Sequence, residues 1–415
     1  MSGAHTAPDE EPPVIRHSWD ESAARRARIR GCLLGGAIGD ALGNPVEFLS
    51  LRAIHETHGE AGVTTLLPDG SGSVGLVTDD TQMTLFTAEG LIRAHARALS
   101  KGIGGAETAL VRNAYLRWLD TQNHPAPPPA PEAFDPVRSG WLRHQPWLYA
   151  RRAPGNACLS GLAEEHVPSP HDPLAGRPGP VNPGSKGCGT VMRSAPFGLA
   201  GLNPRDSFEL AARCAQITHG HPTGYYAAGA LAAMIACLLD GESLEGAALR
   251  TLELLVRYPG HEETTTALRA AIDLAAGGDP TPEKTESLGG GWIAEEALAI
   301  GVYCALVRTP GQQISYGPGG LIAYDPMPPR TPLQAALLLS VNHSGDSDST
   351  GSVCGNLLGA QHGDHRLPPS WLSRIEGRAV IAELADDLAF EFHRSVELYE
   401  PYEDLVFPRD RYPVG

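Results

Sequence analysis

Apolar residues recur at three- and four-residue spacing along most of the chain, and the strict alternation of a half-buried strand is rare. From Asp20 the segment Ser22-Ala-Ala-Arg-Arg-Ala-Arg-Ile-Arg leads into Cys32-Leu-Leu-Gly-Gly-Ala-Ile-Gly, a first helix that ends within Gly39–Glu47 at the punctuation Gly43-Asn44-Pro45. The spacing predicts further helices near 78–100, 105–120, 205–217, 223–239, 243–257, 264–276, 292–307, 332–342, 350–360 and 378–398. Gly35, Gly36, Ala37 and Gly39 lie inside the first helix, where each Gly costs about 1 kcal/mol against Ala. A backbone or ligand is expected to approach closely there.

Residues 124–184 are the least regular stretch, opening with Pro-Ala-Pro-Pro-Pro-Ala-Pro at 125–131. So long a connection inside a domain usually has a function of its own. It does not divide the chain, because the motifs described below lie on both sides of it. Residues 1–20 and 401–415 read as tails, the first of them disordered, and 21–400 as one all-α domain with 124–184 as an insertion. The expected architecture is a compact bundle of many short helices.

Composition narrows the function. Of 415 residues, 32 are Lys or Arg and 48 are Asp or Glu, for a formal net charge of −16. That balance argues against an extended surface for nucleic acid or anionic lipid. A local anion site stays open, since a metal ion or helix N-termini can supply a positive field. The seven cysteines, Cys32, Cys158, Cys188, Cys214, Cys237, Cys304 and Cys354, form no CxxC pair. They read as reduced thiols of a cytoplasmic protein rather than a disulfide frame or zinc site. The start of the chain has no apolar signal segment. Pro222–Leu239 is uncharged and nearly long enough to cross a membrane; it is read as a buried helix, and a membrane partner is not expected.

Two short segments pair acids with hydroxyls: Val77-Thr78-Asp79-Asp80-Thr81 and Gly345-Asp346-Ser347-Asp348-Ser349-Thr350-Gly351. Each stands at the start of a predicted helix, where Thr, Ser and Asp cap the first amides and acids complement the positive end. Capping needs one acceptor rather than two adjacent acids. Asp346 and Asp348 also fall between two apolar helices, where unpaired carboxylates are costly. A hard cation offsets that cost, and Asp and hydroxyl oxygens suit Mg²⁺, Mn²⁺ or Ca²⁺. An EF-hand fails because its twelfth position is Leu357 rather than Glu. A P-loop fails because Gly184-Ser185-Lys186 reverses the Lys–Ser order.

Other segments are weaker alone. Asn182-Pro183-Gly184-Ser185-Lys186-Gly187-Cys188-Gly189-Thr190-Val191-Met192-Arg193 is a Gly-rich loop whose amides could cradle a phosphate. His219 and His221 suit structural or substrate contacts better than a metal lacking a third soft ligand. Trp292 follows three glycines and fits either base stacking or core packing. Glu47 and Asp40 alone are ambiguous.

In order, Gly39-Asp40-Ala41-Leu42-Gly43 with Glu47, Thr78-Asp79-Asp80-Thr81, Gly187-Cys188-Gly189 with Met192-Arg193, Thr218-His219, and Gly345 to Gly351 resemble the motifs of the ADP-ribosylglycohydrolase family. The resemblance spans about residues 28–362. It implies an orthogonal α-helical bundle around a binuclear Mg²⁺ (or Mn²⁺) centre. The implied ligands are Thr78, Asp79, Asp80, Asp346, Asp348 and Ser349. Ser349 stands where many relatives carry Thr, and Cys188 where several carry Asn. Glu47 matches a flap glutamate over the metals and distal ribose, and the catalytic set would be Glu47, Asp79 and Asp346. The pyrophosphate would sit on Gly187, Cys188, Gly189 and Thr190, with further substrate contacts at Met192, Arg193, His219 and Trp292. The implied substrate is an ADP-ribosylated protein or a small ADP-ribosyl compound, cleaved by a monomer. An arginine linkage is favoured by the Gly39–Glu47 motif, with O-linked ADP-ribose or a non-catalytic ADP-ribose binder as alternatives.

Overall fold

The computed structural model describes residues 19–307, 330–393 and 410–413. The expected tail over 1–18, the end of the predicted last helix at 394–398 and most of 401–415 lie outside the described residues. Among the described residues the chain forms sixteen α-helices: α1 (Trp19–Gly43), α2 (Leu51–His58), α3 (Asp79–Lys101), α4 (Glu107–Asn123), α5 (Asn156–Ala163), α6 (Ala195–Leu199), α7 (Pro204–Ala215), α8 (Pro222–Leu239), α9 (Leu244–Leu255), α10 (Glu262–Ala275), α11 (Pro282–Glu286), α12 (Ala294–Leu306), α13 (Pro332–Val341), α14 (Ser347–His362), α15 (Pro369–Leu372) and α16 (Arg378–Phe392). There is no strand among them, only isolated bridges at Pro68–Val74 and Gly187–Ile293. The all-α expectation holds. The unforeseen helices α2, α5, α6, α11 and α15 are too short to show a helical period.

The site is built on one helix pair. Gly31, Gly35, Gly39 and Gly43 recur every fourth residue along α1 and face Gly359, Gly355, Gly351 and Ser347 of the antiparallel α14. A Cβ on Gly39 would lie 1.9 Å from the Gly351 carbonyl oxygen, and one on Gly35 would lie 2.4 Å from that of Gly355. Only glycine lets the backbones meet, and the meeting brings the end of α1 onto the start of α14. Asp346 and Asp348 are thereby placed beside the turn that carries Glu47.

Helix α8 is the one described helix long and apolar enough to span a membrane, and every residue of it is buried inside the protein. It packs against α7, α9, α6, α14 and α12. Small residues, Ala227, Ala228, Ala230, Ala232 and Ala233, let these neighbours close around it.

The insertion is fastened to α3 and α4 by buried polar contacts. Arg117 pairs with Glu89 at 2.7 Å, both side chains fully buried, and donates to the Pro136 carbonyl at 2.7 Å. Arg93 reaches Ser139, and Gln82 Nε2 donates to the Ala150 carbonyl at 2.9 Å. The segment therefore lies on the bundle and delivers residues 153–157 to the cavity described next. Of the expected C-terminal tail, Asp410–Pro413 docks on α16: Tyr412 is buried and its hydroxyl donates to Asp387 Oδ2 at 2.8 Å.

Candidate functional site

Five carboxylates converge on one cavity of about 380 Å³: Glu47, Asp79, Asp80, Asp346 and Asp348 all line it. Asp79 and Asp80 occupy the first turn of α3, and Asp348 that of α14. The capping reading of Thr78 holds: its hydroxyl accepts from the Asp80 amide at 3.3 Å, so it is the cap that orients the pair. Asp346 occupies the cap position of α14 but makes no side-chain capping bond. Its carboxylate turns to the cavity and accepts the Cys188 thiol proton, Sγ to Oδ2 2.8 Å.

Asp40 stands one layer behind. The Thr78 amide donates to its two oxygens at 3.1 and 3.0 Å, the Thr81 amide donates at 3.2 Å, and the Thr81 hydroxyl donates as well. It thus fastens the start of α3 to α1.

Glu47 is delivered by a sharp turn. Its amide donates to the Gly43 carbonyl at 3.0 Å, and the next residue, Phe48, sits at φ +69°. A non-glycine residue there costs on the order of 1–3 kcal/mol. The turn leaves Glu47 half-buried against Asp346 and Asp348, with one oxygen of each within 4.8 Å of the others. Phe48 points outward and stacks on Trp292, ring centroids 5.3 Å apart. Phe48 and Trp292 are 66% and 42% exposed, and both border the cavity.

No cation answers these acids. Among the described residues none of the five, nor Asp40, pairs with Lys or Arg. The nearby bases are engaged elsewhere: Arg152 with Glu376 and the Val77 carbonyl, Lys186 with Glu263 and Glu295. Burial, then the Asp348 charge, pushes Asp79, Asp80 and Asp346 well above the usual carboxylate range. The same two causes raise Asp40 to about 7. Glu47 rises to about 9 through burial and the charges of Asp348, Asp79 and Asp40. Asp80 Oδ1 is buried without a hydrogen-bond partner, although buried acceptors are nearly always satisfied. An all-oxygen acidic cluster with an orphaned acceptor is a donor set that could hold a hard cation.

The Gly-rich loop forms the adjoining wall, but two of its four amides are already engaged. Cys188 N–H donates to the Trp292 carbonyl at 3.1 Å and Thr190 N–H to the Gly187 carbonyl at 3.4 Å. An anion cradle is therefore reduced to Gly187 and Gly189. Gly187, Cys188, Gly189, Met192, His219 and Ser349 line the cavity, whereas Thr78, Thr190 and Arg193 do not. The Thr190 hydroxyl donates to the Gly224 carbonyl. Arg193 is buried beneath the wall, 4.4 Å over the Tyr115 ring, and donates to the Thr218 hydroxyl at 2.5 Å. That hydroxyl lies 2.7 Å from His219 Nδ1, so Arg193 supports His219. Burial and the Arg193 charge hold the His219 imidazole down at about 3, neutral.

Sequence reasoning missed Phe48 and the stretch Ala153–Ala157, which form the mouth and one side of the cavity. Gly155 N–H donates to Asp79 Oδ2 at 3.3 Å. The irregular insertion carried no local signal for this role. Phe48 had one: an apolar residue directly after a turn-borne acid.

Two helix starts and a strained turn of this all-α bundle thus bring five acids to one cavity, an arrangement that could hold a metal ion. Comparison with known proteins makes this specific. The ADP-ribosylglycohydrolase family matches residues 21–397, and the chain belongs to that family. It is 25% identical over 354 residues to the ADP-ribosyl-dinitrogen reductase glycohydrolase of Rhodospirillum rubrum, covering 84% of this chain and 90% of that one. It is 26% identical over 404 residues to human ADP-ribosylhydrolase ARH3, covering 90% and 94%. A solved ADP-ribosylglycohydrolase-related protein complex shares the fold, with a TM-score of 0.56 at 24% identity over 89% of this chain and 98% of that one.

Proposed function

We propose that this chain hydrolyses the bond between ADP-ribose and an acceptor, with divalent metal held by Asp79, Asp80, Asp346 and Asp348 and the hydroxyls of Thr78 and Ser349. The observation that carries this reading is the convergence of the two acid–hydroxyl segments on one cavity, with Asp80 Oδ1 buried and unpartnered. These six oxygen-bearing side chains would be shared between two Mg²⁺ (or Mn²⁺) ions. Bound there, the ions would polarise a water and hold the diol of the distal ribose.

The chain's own residues do the rest. Asp40 holds Thr78 and the start of α3 in register. Burial favours the protonated form of Glu47, and its place beside the acids at the cavity would let it donate toward the departing acceptor and take a proton back from water. The acids around it stabilise positive charge developing at the anomeric carbon. His219, neutral and buried, and the Gly187 and Gly189 amides offer donors to the pyrophosphate without adding charge. The exposed Phe48–Trp292 pair forms one lip of the mouth, where an acceptor or base would lie against it.

The favoured acceptor is arginine, through an N-glycosidic bond. The Rhodospirillum relative is a dinitrogen reductase glycohydrolase, and a Pseudomonas putida relative, 23% identical, is an ADP-ribosylarginine hydrolase. O-linked ADP-ribose is the second reading, since the ARH3 relatives are ADP-ribosylhydrolases whose names specify no arginine acceptor. The test is release of free ADP-ribose from arginine- and serine-linked substrates. Cleavage of the arginine linkage alone supports the first reading, cleavage of the serine linkage alone supports the second, and tight ADP-ribose binding with no cleavage of either overturns the enzyme.

A further inference from the structure

The three carboxylates that meet within 4.8 Å come from two segments: Glu47 from the turn before α2, and Asp346 and Asp348 from the loop into α14. Glycine contacts join α1 to α14 behind them, but Glu47 lies beyond the end of α1. The near end of its turn is held locally, by the Glu47 amide on the Gly43 carbonyl and the Leu49 amide on the Val46 carbonyl, both 3.0 Å. The far end is held across the chain. Leu51, the first residue of α2, donates its amide to the Ser344 hydroxyl oxygen at 2.9 Å. First-turn amides have no partner within their own helix, so Ser344 supplies an acceptor that α2 lacks.

Ser344 is gripped in turn by Glu286, the last residue of α11. One carboxylate oxygen, Oε1, accepts the Ser344 amide at 2.9 Å and the Ser344 hydroxyl at 2.6 Å. A serine hydroxyl has one proton and two lone pairs; giving the proton to Glu286 leaves a lone pair for Leu51. Two residues further on, the Asp346 amide donates to the Gly290 carbonyl at 2.8 Å, so the loop is pinned on both sides of Gly345. Glu286 borders a surface groove with Leu51, Arg52 and Ser344 that shares no lining residue with the carboxylate cavity. Arg52 pairs with Glu56, and the half-buried Glu286 is directed at Ser344.

We infer that Glu286 is a positioning residue, an assignment that rests on the carboxylate cavity being the active site: through Ser344 it sets the distance between Glu47 and the Asp346–Asp348 loop. Glu47 stands four residues before Leu51, and Asp346 two after Ser344. The single bond from Leu51 to Ser344 therefore ties the two halves of the cluster together, and Glu286 fixes the rotamer that makes it. Bonds to a carboxylate are about twice as strong as neutral ones, which suits a tether near the surface. Displacing a reacting group by about 1 Å costs on the order of a hundredfold in rate.

The test compares Glu286→Ala, Glu286→Gln and Ser344→Ala with the wild type in the full-length protein. Backbone hydrogen exchange is read first, because it needs neither metal nor substrate. Exchange across 47–53 should rise about tenfold in both alanine variants, while the buried α8 keeps its wild-type protection as evidence of an intact fold. Glutamine retains an acceptor oxygen and should restore most of the protection. With ADP-ribosyl-arginine and Mg²⁺, both alanine variants should lose about tenfold or more in kcat with KM little changed, and Glu286→Gln should recover most of it. Unchanged exchange across 47–53 in both alanine variants overturns the tether. Faster exchange with wild-type kcat overturns its bearing on the site, and a Glu286→Gln variant as impaired as Glu286→Ala overturns the hydrogen-bonding role. A wild type that cleaves no ADP-ribosyl linkage would sink the proposed function instead, and the exchange data would still decide whether Glu286 holds the Glu47 turn.

Discussion

Neutralising one acid of the cavity separates a metal-holding role from a structural one, because the two roles predict opposite signs. Oxygens of Glu47, Asp346 and Asp348 all lie within 4.8 Å of one another. Two like charges at that separation repel by about 3 kcal/mol at an effective dielectric near 20; the metal-free cluster escapes this by taking up protons on Glu47 and Asp346, an uptake that itself opposes folding at neutral pH. Asp348→Asn removes that repulsion. It also removes a favourable negative charge from the first turn of α14, a loss of about 0.3–1 kcal/mol. The bond from the Ser349 amide to Asp348 Oδ1, 2.9 Å long, can pass to the Asn carbonyl. The metal-free variant should therefore be more stable than the metal-free wild type by about 1–3 kcal/mol. For a chain of this size each kcal/mol moves Tm by roughly 1–2 °C. Mg²⁺ at a hundredfold excess over Kd should add about 2.7 kcal/mol to the wild type and far less to the variant. Scanning calorimetry with chelator and then with Mg²⁺ reads both effects. A lowered metal-free Tm with an undiminished Mg²⁺ increment would make Asp348 a structural acid and refute the reasoning.

Glu47→Gln keeps the side chain's size and should lower turnover by about a hundredfold or more while ADP-ribose affinity changes little; wild-type turnover would remove Glu47 from the mechanism. Gly39→Ala places a methyl group 1.9 Å from the Gly351 carbonyl and should destabilise the fold by about 1–3 kcal/mol or more, read as a lower urea midpoint. His219 is held neutral down to about 3 in the fold, whereas the unfolded chain takes up that proton near 6.5. Between those values the unfolded state binds more protons, so stability is full above the unfolded pKa and falls as pH falls, by about 1.4 kcal/mol per pH unit. His219→Gln should make the decline in urea midpoint between about pH 7 and pH 4 shallower than in the wild type; equal slopes would count against a buried neutral imidazole.

The helices longer than about ten residues were legible because their apolar spacing is sustained, and α8 because its composition fits only a buried or membrane environment. The close approach in the first helix was legible from Gly35 and Gly39; the partner was not, since four-residue glycine spacing at 351, 355 and 359 identifies a face but not what meets it. The metal-ligand candidates were visible as acids beside hydroxyls at helix starts. Their convergence was not, because residues 80 and 346 are brought together by tertiary contacts, among them the α1–α14 pairing and the Asp40 hydrogen bonds. Arg193 and Thr190 carried the same motif signal as their neighbours, yet helical phase turns them behind the wall, toward Thr218 and Gly224. The contribution of the Pro-rich insertion depends on tertiary contacts such as Gly155 to Asp79, for which sequence offers no period.

The most direct test of the account counts metal and activity together. Purified wild type, stripped with chelator and reloaded with Mg²⁺ or Mn²⁺, is assayed for release of ADP-ribose from ADP-ribosyl-arginine, and bound metal per chain is measured on the same samples. Turnover should vanish with the metal and return as two ions bind, and Asp346→Ala should lose at least one ion along with turnover. Full-rate hydrolysis by the stripped protein, or an Asp346→Ala variant that still holds both ions and turns over normally, would contradict the carboxylate cavity as a metal-dependent active site.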